Sequence, residues 1–412
     1  MDIQQFDVII AGAGPSGSSC AMSLANSGLK VALVDKAVFP RDKTCGDALG
    51  IDVINQLSRM SEDLGEKFKL LQNKSASYGI KVFSADHSSI AIPLLHNNVK
   101  SCGYVVPRME FDNLLFQHAK EQSNIHCFEN TVIEKIEKNK SVVIVTTNNG
   151  SLQAPLIVGT DGAHSIVAKQ LSDIKVDKAH YCAGLRIYYE GITGFDPDGL
   201  IELHFFKELA PGYLWLFPLA GNKANVGIGM LSSIVSKKKV NLKETLQHLI
   251  TTHPGLKERF TNAHPLETVK GYGLPLGSAK RNISGERFIL AGDAAGLIDP
   301  FTGEGIANSI RSGRFAATQV LACNKANNYT ASFIKNYDKE IYKAMWKEFK
   351  LSSLLQKLST YPQLCNLIVR KANSAVYIRK QLVESLASID KRKSLFANPK
   401  FYLKVFLSGN KK

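Results

Sequence analysis

Short apolar runs, glycine turns and helix-period segments follow one another from the start of the chain. Val8 to Ala11 is a continuous apolar run that ends on Gly12-Ala13-Gly14-Pro15-Ser16-Gly17. A helical pattern runs from Ser18 to Ser27 and stops at Gly28, and a second apolar run, Lys30 to Val34, ends on Asp35. Short runs without alternation read as strands covered on both faces. The pattern therefore predicts strand, helix, strand, with a G-x-G-x-x-G at the first turn and an acid at the end of the second strand. That is the full context of a dinucleotide fingerprint. Gly12 allows the tight turn. Gly14 lets a pyrophosphate approach the positive end of the helix, and Gly17 brings helix and strand close. Ala13, Pro15, Ser16 and Lys36 complete the candidate nucleotide loop, and Asp35 is placed to take ribose hydroxyls.

Two later runs repeat the theme. Ile157 to Thr160 leads into Asp161-Gly162. Phe288 to Ala291 leads into Gly292-Asp293, then a loop with Pro300, Gly303 and Gly305, then a predicted helix from Ile306 through Arg314. Between them the period changes. The runs Leu185 to Tyr189, Leu200 to Phe206, Tyr213 to Pro218 and Ala224 to Met230 predict an antiparallel sheet. Tyr213, Trp215 and Phe217 alternate with Leu214 and Leu216, so they share one strand face. Such a face lines an apolar pocket or serves as ordinary sheet core, and Pro218 is expected to end the strand.

These patterns predict an α/β fold. A Rossmann-like domain is built discontinuously from residues 1–75, 100–175 and 270–325. A substrate-binding antiparallel sheet comes from 76–99 and 176–269, and a helical region fills 326–412. No second nucleotide fold is expected, because Gly227-x-Gly229 and Gly271-x-Gly273 lack helix and acid. NAD(P)H or another electron donor would then bind without a Rossmann motif of its own.

Charge adds a partner. The formal net charge of the 412 residues is +15. From Lys335 to Lys412 there are 17 Lys or Arg against 5 Asp or Glu, so most of the excess lies in the last fifth of the chain. Apolar residues are interleaved: Leu351, Leu354, Leu355 and Leu358, then Leu364, Leu367, Ile368 and Val369, then Phe401, Tyr402, Val405, Phe406 and Leu407. A basic amphipathic region suits an anionic membrane surface, and a helical face packed on the body is the plainer alternative. No nucleic-acid fold accompanies the charge, so nucleic acid is not expected as a partner. The seven cysteines form no C-x-x-C pair. Neither zinc nor a disulfide framework is expected, and a cytoplasmic location fits, with peripheral membrane attachment. No signal peptide or membrane span is expected.

The three Gly/Asp signatures, in this order, resemble the p-hydroxybenzoate hydroxylase-like flavoprotein superfamily. Two further motifs resemble its geranylgeranyl reductase family: Pro40-Arg41-Asp42-Lys43-Thr44-Cys45-Gly46-Asp47-Ala48-Leu49, and Tyr213-Leu214-Trp215-Leu216-Phe217-Pro218 followed by Gly227-Ile228-Gly229. Arg108 opens a matching R-x-x-F-D-x-x-L. The resemblance spans roughly residues 5–320. It implies FAD as cofactor, contacted by the glycine loop, Asp35, Cys45, Gly46, Ala48, Arg108, Asp161, Gly162, Asp293, Gly303, Gly305 and Ile306. Asp47 and Ala48 stand where the family often has Gly or Glu. The implied activity is reduction of isolated C=C bonds in a prenyl lipid, by a hydride from flavin N5 and a proton to the other carbon. Cys45 is the candidate catalytic residue: Arg41 and Lys43 precede it in sequence, and such charges would favour a thiolate. A flavin monooxygenase or halogenase acting on an apolar or aromatic molecule shares the cofactor signatures. A non-catalytic prenyl carrier is the reading from another class.

Overall fold

The computed structural model describes residues 3–96, 99–375, 377–381, 395 and 398. At its centre lies a six-stranded sheet in the order Ile125–Phe128, Val31–Val34, Val8–Ala11, Ile157–Gly159, Phe288–Leu290, Ser284–Gly285. The first five strands are parallel and the last is antiparallel. All four residues of Val8–Ala11 and of Val31–Val34 are buried, as the continuous apolar runs require. Their partners come from three distant stretches of chain, so the glycine loop, Asp161 and Asp293 emerge together at the carboxyl ends of adjacent strands.

The first helix is Pro15–Ser23 rather than 18–27. Pro15 sits at the helix start, where its fixed φ suits the first turn and its missing N–H costs nothing. The helix lies against Ile306–Ala326, and Ser19 Oγ donates to the Ile310 carbonyl at 2.8 Å. That second helix runs a full three turns beyond Arg314, where the sequence pattern placed its end.

The second large sheet has eight strands. Its main path is His264–Pro265, Tyr181–Glu190, Lys223–Leu231, Gly212–Leu219, Ile201–His204, Gly79–Phe83, Ser89–Pro93, with Lys270–Pro275 also paired to Tyr181–Glu190. It is mixed rather than purely antiparallel, because Gly79–Phe83 runs parallel to Ile201–His204. The two segments are far apart in sequence and need no hairpin between them. Pro218 does not end its strand. The pairing of Gly212–Leu219 with Ile201–His204 extends only to Leu216–Glu202, so Pro218 lies where that edge needs no donor.

Two helices follow, Ala331–Leu358 and Pro362–Ser374. The first is tied to the central sheet by Tyr337, whose hydroxyl donates to the Leu290 carbonyl at 2.8 Å. The second buries Val369 and Ala372 against Ile90 and Ile92 at the edge of the large sheet. Among the tail's apolar positions Leu351 and Val369 are packed inside, whereas Leu354 is 39% exposed. Phe401, Tyr402, Val405, Phe406 and Leu407 lie outside the described residues.

Candidate active site

A cavity of about 960 Å³ separates the two sheets. Its lining runs from Gly12, Gly14, Ser16 and Asp35, past Cys45 and Arg108, to Tyr213, Trp215 and Phe217, and on to Gln356 and Ser359 of the C-terminal helices. Nearly every residue singled out from the sequence borders this one space.

At one end the glycine loop is shaped by close approach. A Cβ on Gly17 would stand 1.8 Å from the Gly12 carbonyl oxygen, so only glycine lets the helix start there. Asp35 holds the loop in place: its Oδ2 accepts from the Ala13 N–H at 2.7 Å, and its Oδ1 accepts from Ala37 N–H at 2.9 Å. Each oxygen keeps a lone pair for a hydroxyl. The helix begins at Gly14 with no side-chain cap, and Ser16 Oγ is buried without a partner. Uncapped N–H groups, an orphan hydroxyl and a lining glycine suit a phosphate, and the pyrophosphate of FAD fits there. Lys36 is exposed at the same rim.

Asp161 has a second duty. Its Oδ2 accepts from Ile166 N–H at 2.7 Å and caps the Ile166–Leu171 helix, while Oδ1 is buried and unpaired. Burial pushes its carboxyl above the usual range despite those donors. Gly162 beside it takes a left-handed φ of 81°.

Arg108 forms a bidentate pair with Asp112, Nε to Oδ1 at 2.6 Å and Nη2 to Oδ2 at 2.7 Å. Arg41 closes on the same carboxylate at 2.7 Å. Asp112 is 0% exposed and Arg108 is 3% exposed. The two cations hold the Asp112 carboxyl well below the usual carboxylate range in spite of burial. Arg108 also lies within electrostatic reach of Cys45. The cation at Cys45 is thus Arg108, 63 positions on by residue number, rather than the adjacent Arg41 and Lys43. Arg41 is bound to Asp112. Lys43 sits 3.5 Å from Asp293 Oδ2 and 4.1 Å from the centre of the Tyr272 ring.

On the opposite wall Trp215 and Phe217 are both pocket and core. They line the cavity and cluster with Val105, while Leu214 and Leu216 point into the other core. Gly46 packs under Phe217, where an added Cβ would be 3.0 Å from the ring. A Cβ on Gly227 would lie 2.0 Å from Trp215, so the G-x-G after the aromatic strand makes room for the indole. Trp215 Nε1 donates to Asn225 Oδ1 at 2.8 Å. Asn225 Nδ2 donates in turn to the Cys45 carbonyl and to Asp47 Oδ2, both at 2.8 Å. Ala48 borders the same cluster. Asn225, Tyr188 and the role of Asp47 were not visible in the sequence motifs.

The late loop closes the middle. Asp293 and Gly303 line the cavity, and helix Ile306–Ala326 starts at Gly305 with no side-chain cap, so Ile306 and its neighbours present N–H groups there. The Tyr213 hydroxyl donates to the Thr302 carbonyl, and Gln356 donates to the Pro300 carbonyl at 2.6 Å. Glu304 is solvent-accessible through the cavity that it lines. Desolvation, with Asp299, Asp52 and Glu348 nearby, pushes its carboxyl up to about 7. His164 is exposed beside Tyr272, and His204 is buried in the sheet, bonded to Glu202 at 2.9 Å. A triad of Asp63, His118 and Glu121 has ligand spacing, but Lys67 already binds both carboxylates, at 3.0 and 2.7 Å.

Two uncapped helix starts, an acid at each of three strand ends and an apolar wall facing them define an FAD-dependent oxidoreductase. The family described as an FAD binding domain matches residues 5–350, and the chain belongs to it. It is similar to a menaquinone reductase of Mycobacterium tuberculosis, 26% identical over 94% of this chain and 92% of the other. It is also similar to a digeranylgeranylglycerophospholipid reductase of Methanococcus vannielii, 28% identical over 86% of this chain and 88% of that one. A solved geranylgeranyl bacteriochlorophyll reductase-like protein from Thermoplasma acidophilum superposes with a TM-score of 0.79. It is 22% identical, covering 95% of this chain and 99% of that one.

Proposed function

We propose that this protein reduces isolated C=C bonds in the isoprenoid chain of a lipid. The carrying observation is the cavity itself, which joins the phosphate-binding end to an apolar wall built by Trp215, Phe217, Ile201 and Leu203. Two relatives are named as reductases of molecules that both contain isoprenoid chains. Gly12, Gly14, Ser16 and Asp35 would hold the adenosine diphosphate half of FAD; Asp293, Gly305 and Ile306 would hold the ribityl and ring half. Bound and reduced, FAD supplies the hydride. The chain's own residues orient an unpolarised alkene against it, keep water out with an apolar wall, and provide a proton. In an anaerobic cuvette, dithionite-reduced holoenzyme mixed with a geranylgeranyl lipid is expected to regain its flavin absorbance while the lipid gains two hydrogens. A protein that stays reduced until oxygen and an aromatic molecule are added belongs to monooxygenase or halogenase chemistry instead.

The basic C-terminal region would deliver the lipid. Gln356 and Ser359 line the cavity, and Leu354 and Tyr361, the latter 62% exposed, lie on the same stretch of chain among Lys357, Lys371 and Arg379. No helix among the described residues is long and apolar enough to cross a membrane. A surface contact worth about 1 kcal/mol per basic residue fits this pattern. Co-sedimentation with phosphatidylglycerol vesicles is expected at low salt and is expected to weaken at least tenfold on going from 0.05 to 0.5 M NaCl. Equal binding to neutral phosphatidylcholine vesicles, or none to either, would overturn the docking role.

A further inference from the structure

Asp47 is fully buried at the cavity wall and carries an unusual set of contacts. Its φ is +66°, a left-handed conformation that glycine adopts freely and other residues adopt at a cost. Oδ2 accepts from both the Tyr188 hydroxyl and Asn225 Nδ2. Oδ1 is buried and has no hydrogen-bond partner among the described residues. Its backbone N–H points at Cys45 Sγ, 3.4 Å away. Two donors on one oxygen leave the other as the atom that carries a proton when the acid is neutral.

The surroundings keep a larger share of this acid neutral near physiological pH than an ordinary aspartate would hold. Desolvation outweighs the hydrogen bonds from Tyr188 and Asn225 and the charges of Arg186 and Arg108, and pushes the carboxyl up to about 6. Arg186, stacked 4.1 Å from the Tyr188 ring centre, is itself bound to Asp42 at 2.9 Å and to Glu267. Lys270 bridges those two acids at 2.7 Å each. The nearby cation is therefore already matched by carboxylates, and little of its charge is left to hold Asp47 ionised.

We propose that Asp47, protonated on Oδ1, is the acid that supplies the proton for C=C reduction. This rests on the reductase reading above. The O–H bond of Asp47 breaks as a C–H bond forms at one alkene carbon, and the other carbon receives the hydride that the reduced cofactor supplies. The alkene is reduced by two electrons, and Asp47 is left as a carboxylate held by Tyr188 and Asn225. Solvent reprotonates it after the product leaves. Cys45 then serves Asp47 as a neighbour that fixes its backbone, and Trp215 fixes Asn225.

The test has two readouts on holoenzyme. Infrared difference spectroscopy of wild type should show a carboxylic-acid C=O band that fades as pH rises through about 6 and is missing in Asp47→Asn. Anaerobic single-turnover reoxidation by a geranylgeranyl lipid should fall at least about 100-fold in Asp47→Asn, the span expected of a positioned general acid. In wild type the same rate should fall as pH rises through the infrared midpoint, since the protonated form is the active one. Asp47→Gly, which suits the left-handed φ, keeps the loop folded if the asparagine variant does not, and should be equally slow. Asp47→Glu should recover part of the rate with a displaced pH limb. If wild type turns over and Asp47→Asn or Asp47→Gly matches it within threefold, or the wild-type rate ignores the midpoint, the assignment is wrong. If wild type itself is never reoxidised by prenyl lipid, the reductase reading fails first and the acid role falls with it.

Discussion

Gly17→Ala is expected to purify colourless, with an FAD dissociation constant raised at least about 100-fold, or roughly 2.7 kcal/mol. The added Cβ would lie 1.8 Å from the Gly12 carbonyl oxygen and 2.7 Å from Thr160 Oγ1. Neither neighbour can retreat. The Thr160 hydroxyl proton is shared between the Ala11 and Gly12 carbonyls, 2.8 and 2.7 Å from Oγ1, and the Gly12 N–H donates to the Val34 carbonyl at 2.7 Å. The helix start would have to lift away from the strand, and that movement takes the Gly14 and Ser16 groups out of phosphate range. Titrating apoprotein with FAD and following flavin fluorescence measures the loss. Gly255→Ala is the control, because its backbone is not left-handed, the new methyl meets only the His253 ring at 3.5 Å, and it lies outside the cavity. A yellow Gly17→Ala protein with ordinary affinity would mean that the loop is not the phosphate site.

Asp112→Ala should be the most destabilising single change near the site, at about 3–5 kcal/mol, the usual cost of stranding a buried charge. It would leave Arg108 unpaired inside the protein and free Arg41 as well. Asp112→Asn should cost less, since the amide oxygen still accepts one guanidinium bond. A thermal melt of each holoenzyme gives the order. The pH dependence follows from the lowered carboxyl. The unfolded Asp titrates near 3.9 and the folded one lower, so the stabilisation is complete above about pH 4. It is lost as pH falls through the folded value. An Asp112→Ala melt equal to wild type at pH 7 would show that the pair carries no net stability.

The parts legible in the sequence were those where backbone geometry dictates residue identity. Gly12, Gly17 and Gly162 are demanded by turns and close approach, and Asp35, Asp161 and Asp293 follow their strands directly. These constraints are local, so a short window carries them. The aromatic strand was legible as one face, but pocket and core could not be told apart, because Trp215 and Phe217 serve as both. The Asp47 cluster was not legible. Tyr188 lies 141 positions away and Asn225 lies 178 positions away. Only the pairing of Tyr181–Glu190 with Lys223–Leu231 brings them to one point. Arg108 lines the cavity, but its nearness to Cys45 depends on how the Arg108–Lys120 helix packs, which no spacing rule reveals. The mixed sheet and the strand through Pro218 escaped for the same reason: edges and neighbours belong to topology, not to any one segment.

The strand order also sets a clock for biosynthesis. Val8–Ala11 can pair with Val31–Val34 early, yet Phe288–Leu290 must be made before the central sheet gains the strand that delivers Asp293. At typical ribosome speeds the interval between the two ends of the cofactor site is on the order of tens of seconds. Once made, Ile157–Gly159 has no partner on one side until Phe288–Leu290 follows, an exposure that invites chaperone binding. The strand that leads to Asp293 therefore completes the site late in synthesis.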